Sequence, residues 1–514
     1  MCCEMSRRDF MGLAAAGAAR ATLVPASALA SANQAEWAQD RWDPRRPLIN
    51  PGKPLRVKPV LMYTLPRRRE MTSWKSWGGV QTEQGVAQEV NRITEELKAV
   101  AAQAEFPVEV LPVAPVASVE AAAQAHNAGA DVTIVYPATG PGNLLRACIP
   151  ESGQAIVFVR RRSGPVYYWY EALSVRYLRA DRPQPAPQNP ADAPRLSVHD
   201  VVVDEGGELL WRFRGLYGAR NLLGAKIVAL GGAQGKYAPD AVQVARERFK
   251  LDIVEPSYDD FQKRIRSALA DPGRLARAEG WAAQYLGMPG TRLETEKKFV
   301  VNAFVLYGAF KDLIEENGAA AFTINRCMGT IMPMAETTAC LSLSLLNDEG
   351  LLAFCESDFV IIPAGILLRY VAGKPVFLHN STFPHNGLVT CAHCTAPRRM
   401  NGARYEPARI LTHYESEYGA APKIEMPRDQ EVTCIDPEYA TCRWVGIRGV
   451  VESNPFYDIC RSQQDVRIQG DWKKLLNEVR DSHWVMAYGN YLREIGYAAP
   501  RIGVTWDAVS DSEA

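Results

Sequence analysis

The feature that most limits this fold is a repeated alternation of short apolar runs with amphipathic stretches. Val60-Leu61-Met62-Tyr63 reads as a strand. Val86, Val90, Ile93, Leu97 and Val100 then recur at spacings of three and four, which sets one face of a helix. Further strands are expected at Val108 to Val113, Val132 to Tyr136 and Ala155 to Val159, with a helix over 118–127. Continuous apolar strands between amphipathic helices imply a parallel sheet covered on both faces. The Pro-rich stretch from Arg182 to Pro194 closes this first unit as a loop or linker.

The alternation restarts after residue 205. A helix over 207–219 leads to the strand Lys226 to Leu230, then to a strand from Leu251 to Val254. A long helix over 293–316 aligns Val300, Phe304, Tyr307 and Ile314, and stops at Asn317-Gly318. A strand at 321–325 and an apolar helix over 359–372 follow. Beyond about residue 373 the pattern changes. Short alternating segments at 386–393, 407–413, 431–435, 443–451 and 464–468 read as β-rich, with a final helix near 487–496. The expected fold is therefore α/β: two doubly wound parallel-sheet domains (55–205 and 206–372), then a β-rich C-terminal domain (373–514). A length of 514 residues suits about three domains of roughly 100–200 residues each.

The N-terminus reads as a targeting segment. Ser6-Arg7-Arg8-Asp9-Phe10-Met11 resembles a twin-arginine export motif. An Ala-rich run follows, and Ala28-Leu29-Ala30 or Ala30-Ser31-Ala32 offers a cleavage site. Residues 1–32 are the expected signal peptide and 33–54 a polar tether. The expected location is outside the cytoplasm, periplasmic or extracellular, with the twin-arginine machinery as a partner. Lys plus Arg and Asp plus Glu both number 58, so net charge points to neither nucleic acid nor anionic lipid. Nothing after the leader is apolar for long enough to span a membrane. Of 11 cysteines, Cys2 and Cys3 fall in the leader. The rest are scattered and read as mostly buried free thiols.

Several motifs carry possible chemistry. Gly231-Gly232-Ala233-Gln234-Gly235-Lys236 joins a strand to a helix and could cradle an anion. Its glycine spacing is one residue short of a P-loop, and Tyr237 stands where a hydroxyl would hold magnesium. A plain glycine turn is the simpler reading. Cys391-Ala392-His393-Cys394 is half of a zinc motif without a second half. On an extended strand Cys391 and His393 share a face and Cys394 points away. Five of the seven histidines (His379, His385, His393, His413 and His483) lie in the C-terminal region, near Glu336, Glu349, Glu356 and Asp358. Glu356 directly follows an apolar strand, where open α/β sheets bind ligands. A helix-starting acid explains Glu356 equally well, and Asp348 and Glu349 read as turn residues.

Four segments together resemble L-fucose/L-arabinose isomerase-like proteins. They are Leu345 to Gly350, Cys355-Glu356-Ser357-Asp358, Ala392 to Pro397 and Ser482 to Asn490. The order of two α/β units before a β-rich one also fits that family. The resemblance implies a ketol isomerase that interconverts an aldose and a ketose through a cis-enediol. It implies a divalent cation, usually Mn2+, on Glu356, His393 and His483. It further implies proton transfer by Glu356 with Asp358 beside it, sugar contacts from His379, Asn380 and Tyr488, and a homo-oligomer. The fucose branch carries a second carboxylate about 24 residues beyond the Glu, and Asn380 stands there instead. An amide can ligate or hydrogen-bond but cannot act as a base. Two alternatives follow, a sugar-binding receptor and a homologue that has lost its catalysis.

Overall fold

The computed structural model describes residues 37–67, 69–71, 80–151, 153–167, 173, 196–438, 442–478 and 480–510. The expected signal peptide and the Pro-rich stretch 182–194 lie outside the described residues. The protein is mixed α/β, with parallel-sheet regions followed by an antiparallel barrel.

The first sheet contains β1 (Leu55–Met62), β2 (Val108–Val110), β3 (Ala114–Val116), β4 (Val132–Pro137), β5 (Gln154–Val159) and β6 (Val201–Val203). All its pairings are parallel. β2 and β3 pair with successive halves of β1, and β4, β5 and β6 extend the other side. The Glu83–Ala102 helix starts on Thr82, whose hydroxyl accepts from the Gly85 amide. It buries Val86, Ile93, Leu97 and Val100 against the sheet, as the spacing predicts.

The second sheet holds β7 (Lys226–Leu230) and β8 (Asp252–Val254), with β10 (Ala321–Ile324) and β11 (Leu352–Phe354). Its order is β11-β10-β7-β8, again all parallel. The strand order reverses between β7 and β10, which makes a topological switch point where the loops diverge. The long helix Lys297–Glu316 is buried almost all round. The expected tether explains why. Trp42 packs edge-on against Phe304 at 4.9 Å, and Trp37 stacks on Trp281. Arg41 pairs with Asp312, and its carbonyl accepts from Lys311 at 2.8 Å. Residues 37–42 are thus a strap over the second unit rather than a free linker. Their two tryptophans provide the apolar area that a polar reading of the segment undervalued.

The C-terminal strands are β12 (Phe377–Ser381), β13 (Leu388–His393), β14 (Ala408–Leu411), β15 (Ala421–Ile424), β16 (Glu431–Glu438), β17 (Arg443–Ser453), β18 (Ser462–Gln469), β19 (His483–Tyr488) and β20 (Thr505–Ala508). Six run in the order β16-β19-β12-β13-β18-β17, and β16 pairs back onto β17 to close an antiparallel barrel. β20 adds to β17 in parallel. β14 and β15 form a small separate sheet with β9 (Thr291–Leu293). All five alternating segments of the sequence are strands here. The final helix begins only at Leu492, because residues 483–488 are a barrel strand. Every residue of β19 is buried, so it shows neither the alternation of a half-exposed strand nor a helical stripe. No described helix is long and apolar enough to cross a membrane.

Candidate metal centre

The carboxyl ends of β7, β10 and β11 meet the mouth of the barrel. Between them lies a cavity of about 520 Å³, lined by Lys236, Asn325, Glu356, Asn380, His393 and His413, with several cysteines. It sits at the switch point, where the divergence of neighbouring loops leaves a crevice.

Glu356 reaches this cavity through an unusual turn. Glu356 and Ser357 both adopt left-handed backbone, at φ 64° and 48°. Such conformations cost non-glycine residues roughly 1–3 kcal/mol each, so the surroundings must enforce them. Here the glycine loop after β7 does so. Gln234 donates its side-chain amide to the Glu356 carbonyl at 2.8 Å and its backbone amide to the Ser357 carbonyl at 3.2 Å. The Lys236 amide donates to the Asp358 carboxylate at 3.1 Å, and the Ser357 amide to the Thr323 hydroxyl at 3.1 Å. Gly231 has to be glycine, since a Cβ there would lie 2.1 Å from the Tyr258 ring.

The barrel supplies the imidazoles. His393 ends β13 and His483 begins β19, where it pairs across the ladder with Asn380 on β12. One carboxylate oxygen of Glu356 lies 3.8 Å from His393 Nε2, and the other lies 3.8 Å from His483 Nε2. Glu356, His393 and His483 form a possible metal-binding triad, with one ligand atom from each within 4.8 Å of the others. Ligands at about 2.0–2.2 Å from a common ion sit roughly 3–3.6 Å apart, so small side-chain rotations suffice.

Both imidazoles are oriented through their far nitrogens. His483 Nδ1 is 2.7 Å from the Asp358 carboxylate, and both groups are fully buried. His393 Nδ1 is 2.9 Å from the Thr395 hydroxyl. Each Nε2 is thereby turned toward Glu356. A carboxylate behind a histidine is the usual support for a metal ligand, because it fixes the tautomer and raises the basicity of the ring. The donor set of one carboxylate and two imidazoles suits a borderline divalent cation.

Lys236 completes the cluster. Its ammonium lies 2.8 Å from the Glu356 carboxylate and 3.2 Å from His483 Nε2. Burial works against that charge, but the hydrogen bond and charge of Glu356 outweigh it and raise the Lys236 pKa. Burial likewise favours neutral Glu356, yet His393, His483 and Lys236 hold its carboxyl far below the usual range. The sequence reading missed Lys236. Its loop is a glycine turn, as the simpler reading had it, and the turn also delivers a charged side chain to the carboxylate.

The remaining expected residues divide. Asn380 lines the cavity. His379, its neighbour on the strand, points the other way and is fully buried between Phe377 and Trp484. Burial pushes the His379 pKa down to about 3. Tyr488 is buried at the far end of β19 and is absent from the cavity lining. Asp358 acts behind His483 rather than in the cavity. Cys394 does line the cavity, contrary to the strand alternation, because β13 ends at His393 and the chain turns there. Glu349 pairs with Lys311 at 2.9 Å and Asp348 accepts from the Arg399 amide at 2.7 Å, so this acidic pair serves the fold. His413 and Glu415 also line the cavity. No family model matches the chain, and no curated protein matches it significantly.

Proposed function

We propose that the cavity binds a divalent cation, Mn2+ by the sequence resemblance, on Glu356, His393 and His483, and interconverts an aldose and a ketose. The observation that carries this reading is the pair of imidazoles aimed at one carboxylate, each fixed from behind. The cation would supply positive charge to the sugar oxygens at the reacting carbons.

The chain's own groups supply the proton chemistry. A ketol isomerase removes a proton from the carbon beside the carbonyl and returns it to the neighbouring carbon. Glu356 is the carboxylate that faces both imidazoles and takes that proton. The Lys236 ammonium is one cause of its low pKa, and so of its weak basicity. Drawing that ammonium onto a sugar oxygen raises the basicity. Lys236 then provides the second proton-managing group that Asn380 cannot be. Each such group contributes roughly 10²–10⁴-fold. Asn380 holds a sugar hydroxyl by its amide. Asp358 is a positioning residue that works through His483.

The Lys236 ammonium between Glu356 and His483 favours a second reading. There the lysine is the resident cation and the cavity binds sugar without a metal. One experiment separates the two. Manganese, zinc and iron are measured in the purified protein, and L-fucose, L-arabinose and related aldoses are assayed for ketose with and without EDTA. The isomerase reading expects about one divalent cation per chain and turnover that EDTA abolishes. Sugar binding that survives EDTA, without turnover, supports the second reading. Absence of both metal and turnover defeats the first.

A further inference from the structure

Among the described residues three arginines are fully buried: Arg160, Arg369 and Arg398. Arg160 is paired with Glu89 and Glu96. The charge of Arg398 acts on the carboxyls of Asp348 and Glu406. Arg369 forms no ion pair with any described carboxylate. Its Nη2 donates to the Ile49 and Gly350 carbonyls, both at 2.9 Å. Its Nε is buried without a hydrogen-bond partner, and its Nη1 has none among the described residues. Burial lowers the Arg369 pKa to about 10, so the side chain stays charged at neutral pH. A buried charge is costly unless it is paired.

Arg369 lines a second cavity, of about 130 Å³, which shares no residue with the first. Arg369 comes from the Ile362–Ala372 helix, and Arg214 and Tyr217 from the Glu208–Leu222 helix. Asn50, Glu105 and Phe106 line it too. Arg214 is paired with the exposed carboxylate of Glu105 at 2.8 Å. Two guanidiniums and one carboxylate thus leave the cavity one positive charge in excess. The Tyr217 hydroxyl and the Gly52 amide both donate to Asn50 Oδ1, at 2.8 Å and 3.1 Å. That fixes the Asn50 amide and leaves its Nδ2 as a donor with no partner among the described residues.

We propose that this second cavity binds a small oxyanion, a phosphate, sulfate or carboxylate group, on Arg369 with Arg214 and Asn50 beside it. A guanidinium presents its donors in a fixed fork that matches the oxygens of such groups. The volume admits an ion of that size and is well below the roughly 300–1,000 Å³ of sites for drug-sized ligands. The recognised part is therefore a single anionic group rather than a large molecule. The ion supplies the counter-charge that Arg369 lacks, and it joins the two helices to the segment before β1. The inference does not rest on the sugar reading.

The test is titration calorimetry on the full folded chain, freed of metal on a chelating resin, with chloride as the background salt. Inorganic phosphate, sulfate and acetate are the separate probes. One oxyanion per chain is expected to bind. Tighter phosphate and sulfate would mark a tetrahedral ligand, and tighter acetate a carboxylate. Arg369→Met should weaken binding by roughly 10–100-fold, the loss of charge-assisted hydrogen bonds. Lys236→Met, in the first cavity, should bind as the wild type does. Where thermal melting shows that Arg369→Met is unfolded, Arg214→Met takes its place, with a loss of roughly tenfold expected. The proposal is overturned if the wild type binds none of the three probes, or if the folded arginine variant binds as tightly as the wild type. It is also overturned if Lys236→Met abolishes binding, which puts the ion in the first cavity.

Discussion

Both parallel sheets place a charged residue just past the carboxyl end of a strand, and the two sites serve different ends. After β5, Arg160 is fully buried and all three nitrogens of its guanidinium are hydrogen-bonded. It donates to Glu89 at 2.6 Å, to Glu96 at 2.7 Å and to the Ser163 hydroxyl at 3.0 Å, over the faces of Tyr136 and Phe158. After β11, Glu356 faces two imidazoles across 3.8 Å gaps and opens onto a cavity of about 520 Å³. The first cluster is closed on itself and gives cohesion. The second pairs with Lys236 and still opens onto the cavity, and that opening separates a candidate binding site from a buried ion network. The barrel makes the difference, since it brings His393 and His483 only to the second sheet.

Four substitutions test this contrast, taken from the largest expected effect to the smallest. Glu356→Gln should lower turnover by roughly 10²–10⁴-fold and empty the metal site, with thermal melting little changed. Unchanged rates would move the chemistry elsewhere. Arg160→Ala should do the reverse. It leaves Glu89 buried without its main partner and should cost about 3–5 kcal/mol in urea unfolding, while metal content stays the same. A loss of metal in that variant would show that the two clusters are coupled.

Asp358→Asn should weaken metal binding by about 10–100-fold in competition with a chelator, because His483 loses the charge that orients it. The smallest effect concerns pH. His379 has its pKa lowered to about 3 in the fold by burial, from 6.5 as its ordinary value. Below the ordinary value the unfolded chain takes a proton that the fold refuses, so stability falls as pH drops between those two values. His379→Gln should remove this component, roughly 1–2 kcal/mol between about pH 6.5 and pH 5, read as a smaller shift of the urea midpoint. An equal shift in both proteins would assign the slope to other groups.

Much of this was legible in the chain. The apolar runs mark β7 and β10 because parallel strands buried on both faces need no alternation. Glu356, His393 and His483 were named from separate segments, and the structure brings them together. What stayed hidden depended on closure in space. Lys236 lies far from Glu356 in sequence, and only the hydrogen bonds between their two loops put it there. His379 and Asn380 are neighbours in sequence, and the pleat of β12 sends only Asn380 to the cavity. Residues 37–42 gave no periodic signal, since two tryptophans suffice to anchor so short a strap.

The closed ring of barrel strands has a mechanical consequence. With β16 paired back to β17, neither histidine strand has a free edge, and neither can shift without disturbing its neighbours on both sides. The cavity is thus a vice with one fixed jaw. The adjustable jaw is the strained turn at Glu356, held by a few hydrogen bonds from the loop after β7. Selection for a differently sized guest would act on residues 231–236 and 356–358 long before it touched the histidines.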